Sequence, residues 1–304
     1  MRAIHGSGGG TRLVGILEAA GVVLDSGFKP DAYTGVSASS YAFFPLAMDK
    51  RKEAKALVGE ILHDMLGRMF DPSPVTRKGG ISPAGIWNAV RGREYLGRQE
   101  KSLDLLRSII TEAEFKAWAA DPARPECWTL AVDLITGAEV FTNLKDYDFE
   151  TALKLVLASG SIPVFTKPVE IAIEGQRRLL VDGGLRSHIA SMKWLETHAT
   201  ATTEMVSIYS RPKDYKDEKG EGWQLADVYA ALTRTLDIMT IEVSKSDEWG
   251  EEVLCNRHGI GLRQIFLPSV MQSVYDTDPK RLEALRVMAR QAAVEALGVK
   301  GEGV

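Results

Sequence analysis

Cysteine is scarce in this chain, which contains only Cys127 and Cys255 among its 304 residues. The two are far apart in sequence, so they form neither a Cys-x-x-Cys pair nor a zinc-ligand pattern. This scarcity argues against a disulfide scaffold and favours a reducing compartment, with both thiols serving as small buried apolar groups. We expect no metal and no other cofactor.

Long apolar runs are also missing, because no stretch approaches the roughly 18 residues that a membrane-spanning helix requires. Residues 1–5 pass into a glycine-rich stretch without the basic-then-apolar pattern of a signal peptide. A formal net charge of -4 offers no attraction for nucleic acid, which is therefore not an expected partner. We expect a cytoplasmic protein, although a secreted effector without a cleavable signal would have the same features. The oligomeric state is not predicted.

What the sequence does contain is an alternation of short apolar runs with helical patterns, which is typical of an α/β fold with a mostly parallel sheet. Between about residues 50 and 126 the pattern is helical and irregular, which predicts a cap or lid over the sheet. No linker divides the chain, so we expect one domain over residues 1–304, with a helical C-terminal extension from about 222. The pattern predicts strands at 3–5, 31–34, 127–133, 139–142, 169–173, 179–181, 205–209 and 265–267, helices at 41–48, 148–160 and 278–298, and a loop at 215–222.

Residues 35–39 read Gly-Val-Ser-Ala-Ser between a predicted strand and an apolar helix. A serine on such a tight strand-to-helix turn exposes its hydroxyl at the carboxyl edge of the sheet, and small neighbours let the turn close. The usual pattern is Gly-x-Ser-x-Gly, and Ser39 stands where the second glycine is expected. Ser37 is therefore a candidate nucleophile, while an ordinary turn remains the alternative for this motif taken alone.

A second motif, Gly-Gly-Gly-Thr-Arg, follows the first predicted strand. Consecutive glycines leave backbone N–H groups free to converge on an anion, with the positive end of a helix behind them. In an acyl transferase or hydrolase that anion is the oxygen of the tetrahedral intermediate. Arg12 either holds the loop or meets a substrate phosphate, or is an ordinary surface arginine. The candidate oxyanion-hole residues are Gly8, Gly9, Gly10, Thr11 and Arg12.

The same glycine loop supports a rival interpretation, because a strand, a glycine-rich turn, a helix and then Asp25 resemble a dinucleotide-binding unit. The glycine order does not fit Gly-x-Gly-x-x-Gly from Gly6, since Thr11 takes the last position. No Gly-Lys-Ser/Thr sequence follows the loop either. A dinucleotide-binding protein is therefore the less favoured alternative.

A third motif, Val-Asp-Gly-Gly at residues 181–184, closes an apolar run. A carboxylate followed by two glycines lies on a tight turn that another backbone or a substrate can approach closely. Asp-Gly is also common in ordinary turns. The order of the three motifs along the chain, rather than any one of them, favours a functional interpretation.

In that order the three motifs resemble the signature of the patatin-like phospholipases. The family signature is Gly-Gly-Gly-x-Lys/Arg, Gly-x-Ser-x-Gly and Asp-Gly-Gly/Ala, matched here by residues 8–12, 35–39 and 182–184. The likeness extends over roughly residues 2–190 and includes the segment 158–163. It implies a three-layer α/β/α fold around a mostly parallel central sheet.

The resemblance also implies hydrolysis of acyl esters in lipids, as a phospholipase A, a lysophospholipase or a carboxylesterase would perform it. It implies a Ser-Asp dyad in which Ser37 is the nucleophile and Asp182 the base, with the amides of Gly9 and Gly10 donating to the oxyanion. The expected partner is thus a lipid or acyl-ester substrate. The residues expected to support the two turns are Gly35, Ser39, Gly183 and Gly184.

The sequence departs from the family pattern in three places. Ser39 replaces a glycine, and the helix after Arg12 reaches residues 15–17 about one turn sooner than usual. Residues 187–190 read Ser-His-Ile-Ala where the family tends to have Asn and Pro. Because the first two departures lie near the site, a lipid-binding protein with weak or no turnover is the alternative function.

His188 and His258 follow Asp182, which is the chain order of a Ser-His-Asp hydrolase with a nucleophile elbow. A lone histidine is more often structural, so we prefer the dyad and leave the triad open. The cap is expected to select the lipid. Its apolar residues either line an acyl channel or contact a membrane surface, or they form the cap's own core, which we prefer. They are Met65, Leu66, Met69, Phe70, Ile86 and Trp87.

Overall fold

Strands and helices alternate along most of the chain, whose computed structural model describes residues 1–62, 64–76, 80–173, 175–214, 228–271 and 275–299. The strands are β1 (Arg2–Gly6), β2 (Ala32–Val36), β3 (Tyr95–Gly97), β4 (Glu126–Asp133), β5 (Glu139–Asn143), β6 (Val164–Thr166), β7 (Val169–Ile173), β8 (Gln176–Asp182), β9 (Glu204–Tyr209) and β10 (Gly261–Phe266). The α-helices are α1 (Leu13–Asp25), α2 (Ala38–Ala47), α3 (Arg51–Ile61), α4 (Met65–Met69), α5 (Pro83–Val90), α6 (Lys101–Ile109), α7 (Glu112–Ala120), α8 (Phe149–Ser159), α9 (Ser191–His198), α10 (Val228–His258) and α11 (Pro279–Leu297).

The central sheet has eight strands, in the order β10-β9-β1-β2-β4-β8-β7 with β5 also paired to β4. Strands β10, β9, β1, β2 and β4 pair in parallel. Strands β5 and β8 pair antiparallel with β4, and β7 pairs antiparallel with β8. The parallel strands therefore bring their carboxyl ends to one edge, where ligands bind in open α/β sheets. The expected mostly parallel sheet is confirmed. Strands β3 and β6 form a separate pair in the region of the predicted cap.

Helices cover both faces of the sheet. On one face Ile4 and Tyr33 pack into a large apolar core with side chains of α1, α2, α8 and α11. On the other face Ala3 and Ala32 pack against Trp194 of α9 and its neighbours from α10. Successive side chains of a strand point to opposite faces, so covering both faces buries most residues of the central strands. The expected three-layer α/β/α fold is confirmed.

Helix ends follow the signals that the sequence carries. Asp148 accepts a hydrogen bond from the Thr151 amide at the start of α8, and Gly160 ends that helix. Asp278 caps α11 in the same way, and Gly298 ends it with a positive φ of 63°. Helix α2 begins at Ala38 rather than at residue 41, because the turn at Ser37 leads directly into it.

Helix α10 has 31 residues and lies within the expected helical C-terminal extension from about 222, although the pattern does not predict its bounds. Its buried acids interrupt any apolar stripe, since Asp247 and Glu251 face inward. Glu251 accepts hydrogen bonds from Ser207 and Tyr209, which satisfies the carboxylate inside the protein. The predicted loop at 215–222 lies outside the described residues. No helix in the described ranges combines the length and the apolar composition needed to cross a bilayer.

Candidate active site

Ser37 lies on the turn between β2 and α2, at the carboxyl edge of the sheet. Its backbone has a φ of 55°, one of the positive values that non-glycine residues rarely adopt. Such a conformation costs about 1–3 kcal/mol and persists only where the surrounding structure imposes it. Ser37 also precedes the first turn of α2, so the positive end of that helix lies beside its hydroxyl.

The small residues around Ser37 are required by close contacts. A Cβ added to Gly35 would lie 2.6 Å from the amide nitrogen of Ser40, so only glycine lets the turn close. Ser39 fits where the family has glycine because Gly6 opposite it has no side chain: a Cβ there would lie 2.4 Å from that of Ser39. The Ser39 hydroxyl oxygen is 2.7 Å from the Gly6 carbonyl oxygen and 2.8 Å from the Val36 amide. The serine therefore joins β1 to the turn.

Asp182 ends β8 and meets Ser37 across the sheet edge. Val36 pairs with Leu130, and the next residue of β4, Ala131, pairs with Asp182. This register brings the two turns to the same level, so that the Ser37 hydroxyl lies close enough to the Asp182 carboxyl group to lower its pKa. Residues that are 145 positions apart in the chain (37 to 182) thereby become neighbours.

The environment of Asp182 alters its acidity. The side chain is only 5% exposed, and burial raises the pKa of Asp182 to about 6. The nearby Ser37 hydroxyl and a hydrogen bond of 2.7 Å from the Gly184 amide favour the ionised form and oppose the rise. Gly183 is required here, because a Cβ would lie 2.4 Å from the Leu130 carbonyl oxygen.

Ser159 and Ser161, in the segment 158–163 that resembles the family, connect the Ser37 turn and the Asp182 turn to their surroundings. The Ser159 hydroxyl accepts the Ser37 amide at 2.9 Å and donates to the Leu130 carbonyl at 2.6 Å. The Ser161 carbonyl accepts the Asp182 amide at 2.9 Å. Small polar residues just after a helix were the available signal, but nothing in the sequence states which amides they bind.

The glycine loop borders the same pocket as Ser37 and Asp182, which we call the Asp182 pocket. The Gly8 amide donates to the His188 carbonyl at 2.9 Å, and the Arg12 amide to the Gly9 carbonyl at 3.1 Å. Among the described residues the amides of Gly9 and Gly10 have no hydrogen-bond acceptor, so both N–H groups are available to one. Thr11 and Arg12 border the space around Ser37, and their side chains have contacts within the protein.

A family model described as patatin-like phospholipase matches residues 7–190, which is more than half of the chain and includes all three motifs. The chain belongs to the patatin-like phospholipase family. The resemblance that the motifs predicted is thereby confirmed. No curated protein matches the sequence.

Two solved structures are similar to this patatin-like chain at low identity. VipD from Legionella pneumophila is 12% identical with a TM-score of 0.49, and the alignment covers 98% of this chain and 66% of that one. Human GIVD cytosolic phospholipase A2, solved with a fluorophosphonate inhibitor, is 11% identical with a TM-score of 0.41. That alignment covers 99% of this chain and 60% of the human one. The chain thus spans less than two thirds of the length of either protein.

The two candidate histidines of the patatin-like chain differ in position. His188 lines the Asp182 pocket, and burial lowers its pKa to about 3, helped by the charges of Arg211 and Arg12. The ring is therefore neutral, and within the described residues it makes no hydrogen bond to Ser37 or Asp182. His258 is exposed at the end of α10, just before β10 starts at the opposite edge of the sheet.

Helix α10 supports the segment after Asp182 in a way that the sequence did not reveal. Asp247 accepts the amides of His188 and Ile189 at 2.6 and 3.2 Å. Burial raises the pKa of Asp247 to about 6. Because the His188 carbonyl binds the Gly8 amide, Asp247 indirectly positions the glycine loop.

The apolar residues of the predicted cap separate into two groups. Met65, Leu66 and Phe70 are buried, in agreement with the preferred core interpretation. Ile86 and Trp87 on α5 are 54% and 56% exposed. Phe70 and Met69 also border a second pocket next to Ser37, described below.

Proposed function

We propose that this protein is a serine hydrolase that cleaves acyl esters of lipids by a Ser-Asp dyad. The observation that carries the proposal is that Ser37, the buried Asp182 carboxyl group and the glycine loop line the same pocket, with the Ser37 hydroxyl beside that carboxyl group. Membership of the patatin-like phospholipase family supports a lipid ester as the substrate class, as for phospholipase A, lysophospholipase or carboxylesterase activity.

The first step is attack of the Ser37 oxygen on the ester carbonyl carbon. Its proton passes to the neighbouring Asp182 carboxylate, while the carbonyl π electrons move to oxygen. A pKa near 6 makes Asp182 a stronger base than an ordinary aspartate, yet leaves most of it ionised at pH 7. The amides of Gly9 and Gly10 stabilise the resulting oxyanion.

Collapse of this intermediate breaks the bond to the alcohol, and Asp182 returns its proton to the departing oxygen. The acyl group remains on Ser37 as an ester. Water then attacks the acyl carbon and gives a proton to Asp182. The second collapse releases the fatty acid, and the Ser37 oxygen recovers its proton from Asp182, so only water and the ester are consumed.

Labelling with a fluorophosphonate probe, together with release of fatty acid from a lysophospholipid, tests this proposal. We expect the wild type to label and Ser37→Ala to lose both labelling and hydrolysis by about three orders of magnitude or more. Ser108→Ala is the matched control, because that serine is exposed on α6. Equal labelling of Ser37→Ala and wild type would refute Ser37 as the nucleophile.

Binding of lipid without turnover is the alternative that this labelling also decides, because only an activated serine reacts. Ser39 was the first reason to consider this alternative. The structure accommodates Ser39 because Gly6 opposite it has no side chain. The dinucleotide interpretation is set aside, since the glycine loop borders the Ser37–Asp182 pair.

A further inference from the structure

Two pockets meet at Ser37. The Asp182 pocket encloses about 730 Å³ of space, part of it open to solvent. The second, which we call the Met69 pocket, encloses about 490 Å³ in the same sense. The residues that the two pockets share are Gly10, Ser37, Ile162 and Tyr275.

The chemistry of the two pockets differs. The Asp182 pocket contains the carboxyl group of Asp182, the neutral imidazole of His188 and the cationic side chain of Arg12. It can therefore surround a polar group, including one that carries negative charge. Nothing comparable borders the Met69 pocket, whose described lining has no charged side chain.

Two polar side chains of the Met69 pocket, Tyr41 and Gln99, are bonded within the protein. The Tyr41 hydroxyl is 3.0 Å from the Ser102 hydroxyl. The Gln99 amide nitrogen donates to the Leu157 carbonyl and to the Ser161 hydroxyl, at 2.9 and 2.7 Å. What this pocket presents to a ligand is therefore mainly carbon, from Leu13, Ala38, Met69, Phe70 and Ile162.

The dyad mechanism fixes which part of the ester enters which pocket. The acyl and alcohol parts leave the reacting carbonyl carbon in different directions. Asp182 must reach the alcohol oxygen to protonate it, so the alcohol has to depart on the Asp182 side. The acyl chain then lies on the other side of Ser37, where the lining is apolar.

From this geometry we propose that the Met69 pocket binds the acyl chain and the Asp182 pocket binds the alcohol part of the ester. The assignment rests on the proposed function, because it uses the proton transfer from Asp182. The acyl pocket is bounded where Gly160 faces Tyr41: a Cβ on Gly160 would lie 2.8 Å from the Tyr41 ring. Chains longer than the space up to that contact leave methylenes outside it.

A matched pair of substitutions tests the assignment. Met69 borders only the acyl pocket and Leu236 only the alcohol pocket, and both are partly exposed, so each can be enlarged to tryptophan. Each methylene that no longer fits loses about fourfold in kcat/KM. With one alcohol, Met69→Trp should lower the ratio of long-chain to short-chain turnover by about tenfold or more. Leu236→Trp should leave that ratio unchanged and alter the ratio between a small and a large alcohol.

A binding measurement supports the kinetics and does not depend on turnover. Ser37→Ala keeps both pockets, so a fluorescent medium-chain fatty acid should bind to it. Adding Met69→Trp to this variant should weaken binding of the fatty acid by about tenfold. If the tryptophan variant does not fold, the smaller change Met69→Phe takes its place. Adding Leu236→Trp should not weaken binding.

The outcomes separate the two proposals. No fluorophosphonate labelling of the wild type would refute the proposed hydrolase function. Labelling at Ser37 combined with exchanged effects, in which Leu236→Trp changes chain-length selection and Met69→Trp changes alcohol selection, would overturn the pocket assignment alone. Fatty-acid binding that neither Met69 variant weakens would overturn it as well.

Discussion

The turn at Ser37 lowers the stability of the fold through an unfavourable backbone conformation, whereas the turn at Asp182 lowers it through a buried charge. The backbone of Ser37 has a positive φ, while Asp182 has an ordinary φ of -51°. Burial raises the pKa of Asp182 to about 6, so its ionised form is disfavoured in the folded protein. The two turns of one site thus lower the stability of the fold independently. Only the contribution of the buried Asp182 carboxylate depends on pH.

The largest effect is expected for Asp182→Asn. The folded pKa lies above the ordinary value of 3.8, so the folded state binds the proton more tightly and loses stability as pH rises from about 4 to 6. Asparagine removes this penalty and should raise the free energy of unfolding at pH 8 by about 1–3 kcal/mol, while hydrolysis is lost. Urea denaturation at pH 8 and pH 4 measures it. An equal gain at both pH values would refute the electrostatic origin.

The pH dependence of kcat/KM for the wild type should show the ionisation of Asp182. Hydrolysis requires ionised Asp182, so kcat/KM for a soluble acyl ester should fall as pH drops through about 6, by roughly tenfold at pH 5. Asp247 also has its pKa raised to about 6, so Asp247→Asn is the control. The fall should persist in that variant. A profile that moves or flattens there would assign the titration to Asp247 instead.

The conformational half of the comparison is tested by Ser37→Gly against Ser37→Ala. Both variants lack the hydroxyl, and only alanine keeps the Cβ that makes a φ of 55° unfavourable. The glycine variant should be the more stable by about 1 kcal/mol. Unlike the gain from Asp182→Asn, this difference should be the same at pH 8 and pH 4. Denaturation of the two variants side by side measures this difference, and an alanine variant as stable as the glycine variant, or more stable, would show that the turn is not strained.

The smallest effect is expected for His188→Ala. The neutral imidazole makes no described hydrogen bond to Ser37 or Asp182, so kcat should stay within about tenfold of the wild type. Steady-state hydrolysis of the same soluble ester measures this. A fall of several orders of magnitude would indicate a triad, and the comparison between the two turns would then omit a third catalytic group.

Much of the site could be predicted from local sequence. Tight turns need small residues, so the composition of residues 35–39 and 182–184 indicated two tight turns. The strands and capped helices were visible for the same reason, as α8 and α11 show with Asp148 and Asp278. The pattern indicated a helical extension from about 222 but not the bounds of α10, because inward-facing acids with partners in distant segments interrupt its apolar stripe.

The sequence by itself determined which chemical groups are present and on which kind of turn each lies. The tertiary structure decided which of them meet, through the register that pairs Ala131 with Asp182. It also decided that Ser39 is compatible with the nucleophile turn, because Gly6 leaves room for it. Turn and cap signals act over a few neighbouring residues, whereas strand register and burial depend on the whole packed chain. The proximity of Ser37 to Asp182 and the raised pKa of that carboxyl group therefore exist only in the folded protein.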